Sequence, residues 1–270
     1  MEATILVDNI GYNGMKAEWG LCIYIVQNGT KILLDTGASN LFLENAKKEG
    51  ISLEDVDYAV LSHAHYDHAN GMAYFLELND KAKFYLQKKS SENCYSKRWI
   101  FRKYIGIPKG ILEKFSDRIE FIEGDYSLTD EITIISHKTK GLDAIGRREH
   151  MYVKENGKWN ADDFAHEQSL VFETEKGLVI FNSCCHGGAD TIINEVKSTY
   201  NQKHIHAIVG GFHLFNKAEE EVRALAVRIM ETGIDKIYTG HCTGDKAYQV
   251  LESILGDKLQ KLQVGLKIEV

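Results

Sequence analysis

The sequence predicts a layered α/β protein, and three observations predict it. Short apolar runs alternate with stretches of helical spacing along both halves of the chain. Glycine-containing turns join neighbouring apolar runs, and four of the runs end in loops that carry histidine.

In chain order, residues 4–7, 21–27 and 31–34 have the composition of strands. Asn28-Gly29 between the last two tolerates the positive φ of a tight hairpin turn. Asp35-Thr36-Gly37 ends that hairpin, and a short helix is expected over about 40–48, closed by Gly50. Tyr58-Ala59-Val60-Leu61 is too short for a helix and suits a buried strand. A helix over 71–76 and a strand over 83–86 follow. Residues 88–125 carry Trp99, Phe101, Tyr104 and Phe115 among many lysines and arginines, and are expected to form irregular or helical insertions.

The second half repeats this logic. Residues 170–173 and 178–182 form a hairpin turning around Lys176-Gly177, whose second arm runs into Ser183-Cys184-Cys185-His186-Gly187-Gly188. Asp190 is placed to cap a helix reaching about residue 200, with Ile192, Ile193 and Val196 on one side. A strand over 205–209 ends in Gly210-Gly211-Phe212-His213. Over 217–230, Val222, Leu225, Ala226 and Ile229 fall at helical spacing before Gly233, and a strand over 236–239 enters Gly240-His241-Cys242-Thr243-Gly244. No linker divides the chain, so residues 1–270 are expected to form one domain, with an insertion at about 88–125.

The 270 residues are 44% hydrophobic and 26% charged, the balance of an ordinary globular protein. No apolar run approaches a bilayer span and no signal-type segment opens the chain, so a cytoplasmic protein without a membrane partner is expected. Five cysteines in a chain of this length predict reduced thiols rather than a disulfide framework. A net charge of −7 leaves no electrostatic footprint for broad nucleic-acid binding, so a small-molecule partner is expected; oligomeric state is left open.

The segment that carries chemistry is His63-Ala64-His65-Tyr66-Asp67-His68, placed directly after a predicted buried strand. Imidazole and carboxylate donors suit zinc and similar divalent ions, and donors at this spacing seed two neighbouring positions. Further ligands must come from the far half. His186, His213 and His241 each lie just beyond a predicted strand. His186 and His241 sit in small-residue loops that allow close approach, which selects them as ligands. His213 is assigned to substrate contact or transition-state stabilisation, and Asp67 to a catalytic as well as a ligand role. Asp35 is expected to orient a ligating imidazole. Cys184 and Cys185 are either thiolate donors or small buried hydrophobes. Lys138, Lys140, Arg147 and Arg148 are either a phosphate-binding cluster or a solvated face. His137, His150, His166, His204 and His206 have no comparable context and are taken as structural.

These residues resemble the metallo-β-lactamase superfamily: the HxHxDH loop, the preceding Leu34-Asp35-Thr36-Gly37, and later histidines after strand ends in the expected order. The resemblance implies an αββα sandwich of two mixed sheets with outer helices and a metal site along one edge. It also implies two divalent ions, zinc first, with manganese or iron as alternatives, and a hydrolase that attacks a small, phosphorylated substrate with hydroxide generated by the ions. His63, His65 and His186 would hold the first ion, and Asp67, His68 and His241 the second. Ala17-Glu18-Trp19-Gly20-Leu21, Ser183-Cys184-Cys185-His186, Gly211-Phe212-His213-Leu214 and His241-Cys242-Thr243-Gly244 are similar to one subgroup. It is commonly named after 7,8-dihydropterin-6-yl-methyl-4-(β-D-ribofuranosyl)aminobenzene-5′-phosphate synthase, so a pterin-related transferase is the alternative activity. Cys184 stands where members usually have an aspartate bridging the two metals. A diiron redox protein, which would carry glutamate in place of His65, a nucleic-acid-processing hydrolase, which shares the HxHxDH loop but should show a basic arm, and an inactive metal-binding module complete the alternatives.

Overall fold

Alternation of side chains along the strands sets the layers of this protein, whose computed structural model describes residues 1–270. The first half runs β1 (Glu2–Val7), β2 (Cys22–Gln27), β3 (Thr30–Leu34), α1 (Leu41–Lys48), β4 (Tyr58–Val60), α2 (Tyr66–Ala69), α3 (Met72–Leu78), β5 (Lys83–Gln87), β6 (Cys94–Arg98), β7 (Phe101–Tyr104), α4 (Ile111–Lys114) and β8 (Ile119–Ile122). The second half runs β9 (Tyr126–Ser127), β10 (Ile132–Ser136), α5 (Asp143–Arg148), β11 (Met151–Glu155), β12 (Lys158–Ala161), β13 (Gln168–Thr174), β14 (Gly177–Phe181), α6 (Ala189–Thr199), β15 (Ile205–Gly210), α7 (Glu219–Glu231), β16 (Lys236–Thr239), α8 (Asp245–Leu255), β17 (Leu259–Lys261) and β18 (Lys267–Glu269).

Two seven-stranded sheets result, ordered β18-β1-β2-β3-β4-β5-β8 and β17-β16-β15-β14-β13-β10-β9. Both are mixed: hairpin-joined strands pair antiparallel, whereas β3, β4, β5 and β8, and likewise β14 to β17, run parallel through helical crossovers. Ile23, Ile25, Ile32 and Leu34 of the first sheet meet Leu170, Phe172, Val179 and Phe181 of the second in one apolar cluster between the sheets. Tyr24 and Leu33, one residue out of phase, face Phe42 of α1 and Phe75 of α3 instead. On the other side, Leu178, Ile180 and Ile208 pack on Ile192, Val222 and Leu251 of α6, α7 and α8. The order is therefore helix, sheet, sheet, helix: an αββα sandwich, as expected. No helix is long and apolar enough to cross a membrane.

The β2–β3 hairpin turns on Asn28 at φ 49° and Gly29 at φ 85°, the left-handed pair that the dipeptide suggests. Elsewhere the structure corrects the sequence reading. Residues 88–125 are not irregular or helical throughout: β6 and β7 form a hairpin that joins β11 and β12 in a third, four-stranded sheet, and β8 closes an edge of the first. Cross-strand aromatics account for this, with Tyr95 against Tyr104 at 5.2 Å and against Trp159 at 4.9 Å. Asp190 does not cap α6. The helix begins at Ala189 after Gly188, and the Asp190 carboxylate accepts a hydrogen bond from Arg228 at 2.6 Å. Strands β9 to β12, β17 and β18 and helices α2, α5 and α8 have no counterpart in the sequence reading.

Phe181 is fully buried between the sheets, its ring edge-on to Phe172 at 5.4 Å. Replacing it with alanine is expected to cost about 3–5 kcal/mol of unfolding free energy, read from urea denaturation, because both sheets frame the void. A loss under about 1 kcal/mol contradicts this packing.

Candidate metal centre

Strands β14, β15 and β16 pair in parallel, with Phe181 opposite Val209 and Val209 opposite Tyr238, so their C-terminal ends lie side by side. The loops that follow carry Cys184 and His186, His213, and His241. Across the sandwich, β3 and β4 end in Asp35 and in the loop that carries His63 to His68. All of these residues share one rim. Gly210 makes the closeness visible: a Cβ there would lie 1.8 Å from the Asn182 carbonyl oxygen.

Hydrogen bonds fix which nitrogen of each histidine is free. Asp35 accepts from the Ser62 backbone N–H (2.7 Å), the Ser62 hydroxyl (2.7 Å) and the Ser183 hydroxyl (2.6 Å), and lies 2.8 Å from His68 Nδ1. With its proton committed to Asp35, the Ser62 hydroxyl accepts from His63 Nδ1–H at 2.8 Å. His63 Nε2 is then a bare lone pair, buried and without a partner. Its ring lies close to those of His65 and His186, and one nitrogen from each falls within 4.8 Å of the other two. Both His186 nitrogens are buried and unpartnered, and the ring stacks on Phe164 at 4.4 Å. Burial and the neighbouring imidazoles push His63 and His186 well below the ordinary histidine value, which keeps them neutral.

A second group lies beside the first. His68 donates Nδ1–H to Asp35, and His241 donates Nδ1–H to Asn9 Oδ1 at 3.2 Å. The Asn9 amide is oriented by the Gly20 N–H on its oxygen and by the His241 carbonyl on its nitrogen. His68 Nε2 and His241 Nε2 thus face each other at 3.2 Å, with one proton, or in its place one cation, to share between them. Asp67 Oδ2, held by Trp19 Nε1–H at 2.8 Å, lies 3.5 Å from His241 Nε2 and 3.9 Å from His68 Nε2. Two buried imidazole nitrogens and a carboxylate converging on one point fit a divalent cation in place of that proton. Burial lowers the His68 value, but Asp35 and Asp67 outweigh it and hold the imidazole up at about 9, so that without a cation a proton bridges His68 and His241 and a divalent ion would displace it.

The six residues proposed from sequence as ligands, His63, His65, Asp67, His68, His186 and His241, therefore come together. His213 lies beside them, 4.4 Å from His186 ring to ring, with both nitrogens unpartnered. Cys184 faces the group, 3.4 Å from His68 Nε2, whereas Cys185 turns into the core beneath α6. His204 and His206 pair with Asp235 away from the rim.

Two histidines set aside as structural instead support the site. His166 Nδ1 accepts the Ala64 N–H at 3.2 Å inside the HxHxDH loop, and its Nε2–H points to Asp162 at 3.2 Å. Asp162 also lies 3.9 Å from His65 Nε2. His137 sits between Glu167 and Glu195, which override burial and hold it at about 10, and Glu167 in turn accepts the His186 N–H at 3.3 Å. No local pattern discloses the role of His137, which follows β10.

A cavity of about 410 Å³ opens from His186 and His213 and reaches Arg148, Lys217 and Arg228. Of the four basic residues considered from sequence, only Arg148 lines it. Lys138 bonds Asp125 and Thr199, and Arg147 bonds Asp143. Each wall cation has an acidic partner: Arg148 with Glu149 and Glu221, Lys217 with Glu149, Arg228 with Asp190.

A model of the metallo-beta-lactamase superfamily matches residues 20–167. The chain is 26% identical to 7,8-dihydropterin-6-methyl-4-(beta-D-ribofuranosyl)-aminobenzene-5'-phosphate synthase of Methanocaldococcus jannaschii, over 97% of this chain and 94% of that protein. A second, uncharacterized protein of the same organism is 29% identical over 93% of each. Among solved structures, Tm1679, described as a metal-dependent hydrolase of the beta-lactamase superfamily, superposes with a TM-score of 0.86 at 30% identity, covering 100% of this chain and 99% of its own.

Two outcomes follow from this geometry. Asp35→Asn keeps the shape but loses acceptor capacity at His68 and the two serines. Zinc affinity measured by chelator competition is expected to fall about 10–100-fold with the far-ultraviolet spectrum unchanged, and unaltered affinity would discount the role of Asp35. Glu149 is pulled from 4.5 down to about 2, against the effect of burial, by Lys217, Asn216 and Arg148. A depressed carboxylate stabilises the fold above its unfolded value and loses that contribution as pH falls through the folded one. The stability margin of the parent over Glu149→Gln should therefore shrink between pH 4.5 and about 2.

Proposed function

Since the chain belongs to the metallo-β-lactamase superfamily, we propose that it is a two-metal hydrolase of a small, anionic substrate, phosphorylated compounds first among them. The observation that carries this reading is the convergence of His68 Nε2, His241 Nε2 and Asp67 Oδ2, with the two nitrogens 3.2 Å apart and both Nδ1 atoms bonded elsewhere.

In this reading His63, His65 and His186 hold one divalent ion and Asp67, His68 and His241 the other, with zinc the expected metal for so many imidazoles. Such a pair supplies Lewis acidity to the bond under attack and acidifies water at neutral pH. The chain's own groups do the rest. Asp67, steadied through Oδ2 by Trp19, accepts a proton from the attacking water and orients it. His213, unpartnered at the mouth of the cavity, donates to the oxygen on which charge develops. Arg148, Lys217 and Arg228 exchange their acidic partners for the anionic end of the substrate.

A second reading, transfer rather than hydrolysis, is favoured by the end-to-end relationship to the M. jannaschii synthase. There the same residues would bind the departing pyrophosphate of a dihydropterin substrate, with the cavity cations taking its charge.

Metal analysis together with a panel of phosphodiesters, lactones and dihydropterin pyrophosphate separates the two. Turnover of an ester or lactone by water supports hydrolysis. Condensation of the pterin with an aminobenzene acceptor supports transfer. In either case His65→Ala is expected to lower metal content and activity together while the circular dichroism spectrum is retained. Full metal occupancy and full turnover in that variant would overturn the assignment.

A further inference from the structure

The five cysteines divide by surroundings. Cys22 and Cys185 are members of the apolar clusters, where a thiol serves as a small hydrophobe, and Cys94, also a member, lies 3.8 Å from His166 Nε2 in a separate group with His65 and Asp162. Cys184 and Cys242 belong to none of these clusters, although they are only 3% and 1% exposed. Their sulfurs lie 3.4 Å apart on the rim. Cys184 Sγ is also 3.4 Å from His68 Nε2, and with His241 the two sulfurs form a buried donor group whose atoms all lie within 4.8 Å.

The fold makes room for this pair. A Cβ on Gly211 would come within 2.5 Å of Cys242 Sγ, so the Gly210-Gly211 turn leaves that sulfur its place. The His213 backbone N–H donates to the same sulfur at 3.3 Å, the kind of bond that a thiolate accepts well. Cys184 belongs to three overlapping donor groups: with His63 and His68, with His241 and Cys242, and with His186 and His213. It therefore lies at the junction of both ion positions, and Cys242 lies at the outer side of the second.

We propose that Cys184 and Cys242 are thiolate ligands, Cys184 shared between the two ions and Cys242 terminal on the second. The inference rests on the two-ion reading above. With Asp67, His68 and His241 the second ion would have five protein donors, and neighbouring donors on a five-coordinate zinc with bonds of about 2.0–2.3 Å lie roughly 3–4 Å apart, which matches the sulfur–nitrogen spacing of 3.4 Å. The consequence is selectivity. Two thiolates bias the second position toward zinc or ferrous iron and against magnesium and manganese, which prefer oxygen donors.

X-ray absorption of the protein loaded with two equivalents of zinc tests this without any substrate. The parent should show a sulfur shell at about 2.3 Å beside nitrogen and oxygen at about 2.0–2.1 Å. Cys184→Ser and Cys242→Ser should each lose part of that shell and weaken the second equivalent by about tenfold or more, the double variant should lose it entirely, and Cys185→Ser should leave it intact. Cys184→Asp should shift competition at the second position from zinc toward manganese. Two bound zinc ions with only nitrogen and oxygen neighbours would overturn the proposal. So would a titration of three thiols, rather than five, in the unfolded protein, which would mean that Cys184 and Cys242 are joined as a disulfide. A protein that binds no zinc at all refutes the two-ion reading itself, and metal content reports that separately.

Discussion

Asp35 is the constraint on which the site depends. Its buried carboxylate ends β3, and it receives the Ser62 backbone N–H, the hydroxyls of Ser62 and Ser183, and the His68 ring. Ser62 precedes the HxHxDH segment and His68 ends it, whereas Ser183 lies in the loop after β14 in the other half of the sandwich. One carboxylate thus closes the two sheets on each other at the rim and sets two tautomers at once, His68 directly and His63 through Ser62. A charge buried at this depth is tolerated only with its acceptor capacity filled. That requirement forces the loops of both halves to converge.

The backbone at the rim carries strain of a matching kind. Asp35, Cys185, His213 and His241 are non-glycine residues at φ of 60°, 48°, 49° and 45°. Such conformations cost of order 1–3 kcal/mol each and persist where the surroundings over-determine them. Here Asp35, His213 and His241 lie where the chain leaves a strand and must turn a side chain toward the centre, whereas Cys185, between Cys184 and His186, turns its own into the core. The hydrogen bonds of Asn9, Asp8 and Thr243 to the neighbouring backbone hold those turns.

Electrostatically the two halves of the centre differ. Around His63 and His186 there is little but imidazole and burial, so those rings are neutral donors. Around His68 and His241 lie Asp35 and Asp67, so that side is rich in negative charge, while burial holds the neighbouring Asp8 carboxyl up at about 7. Behind His186, the Glu167–His137–Glu195 array confines one positive charge between two carboxylates and keeps it away from the donors. The cavity beyond carries paired cations rather than bare ones, so an anionic ligand meets a wall able to rearrange rather than a fixed excess of charge.

What the sequence determined by itself was local. The Asn28-Gly29 turn, the alternating strands, the helix before Gly233 and the HxHxDH loop each depend on neighbours a few residues away, so periodicity and turn chemistry disclosed them. The address shared by His186, His213 and His241 was equally visible, because a strand end is a local feature. Only the tertiary structure decided which partners those residues meet. The pairing of β6 with β11, the support of His65 by Asp162 and His166, the place of His137 between Glu167 and Glu195, and the meeting of Cys184 with Cys242 all join positions tens of residues apart. Whether a buried histidine or cysteine faces an apolar cluster or another donor is set by packing across the sandwich, and no spacing along the chain encodes it.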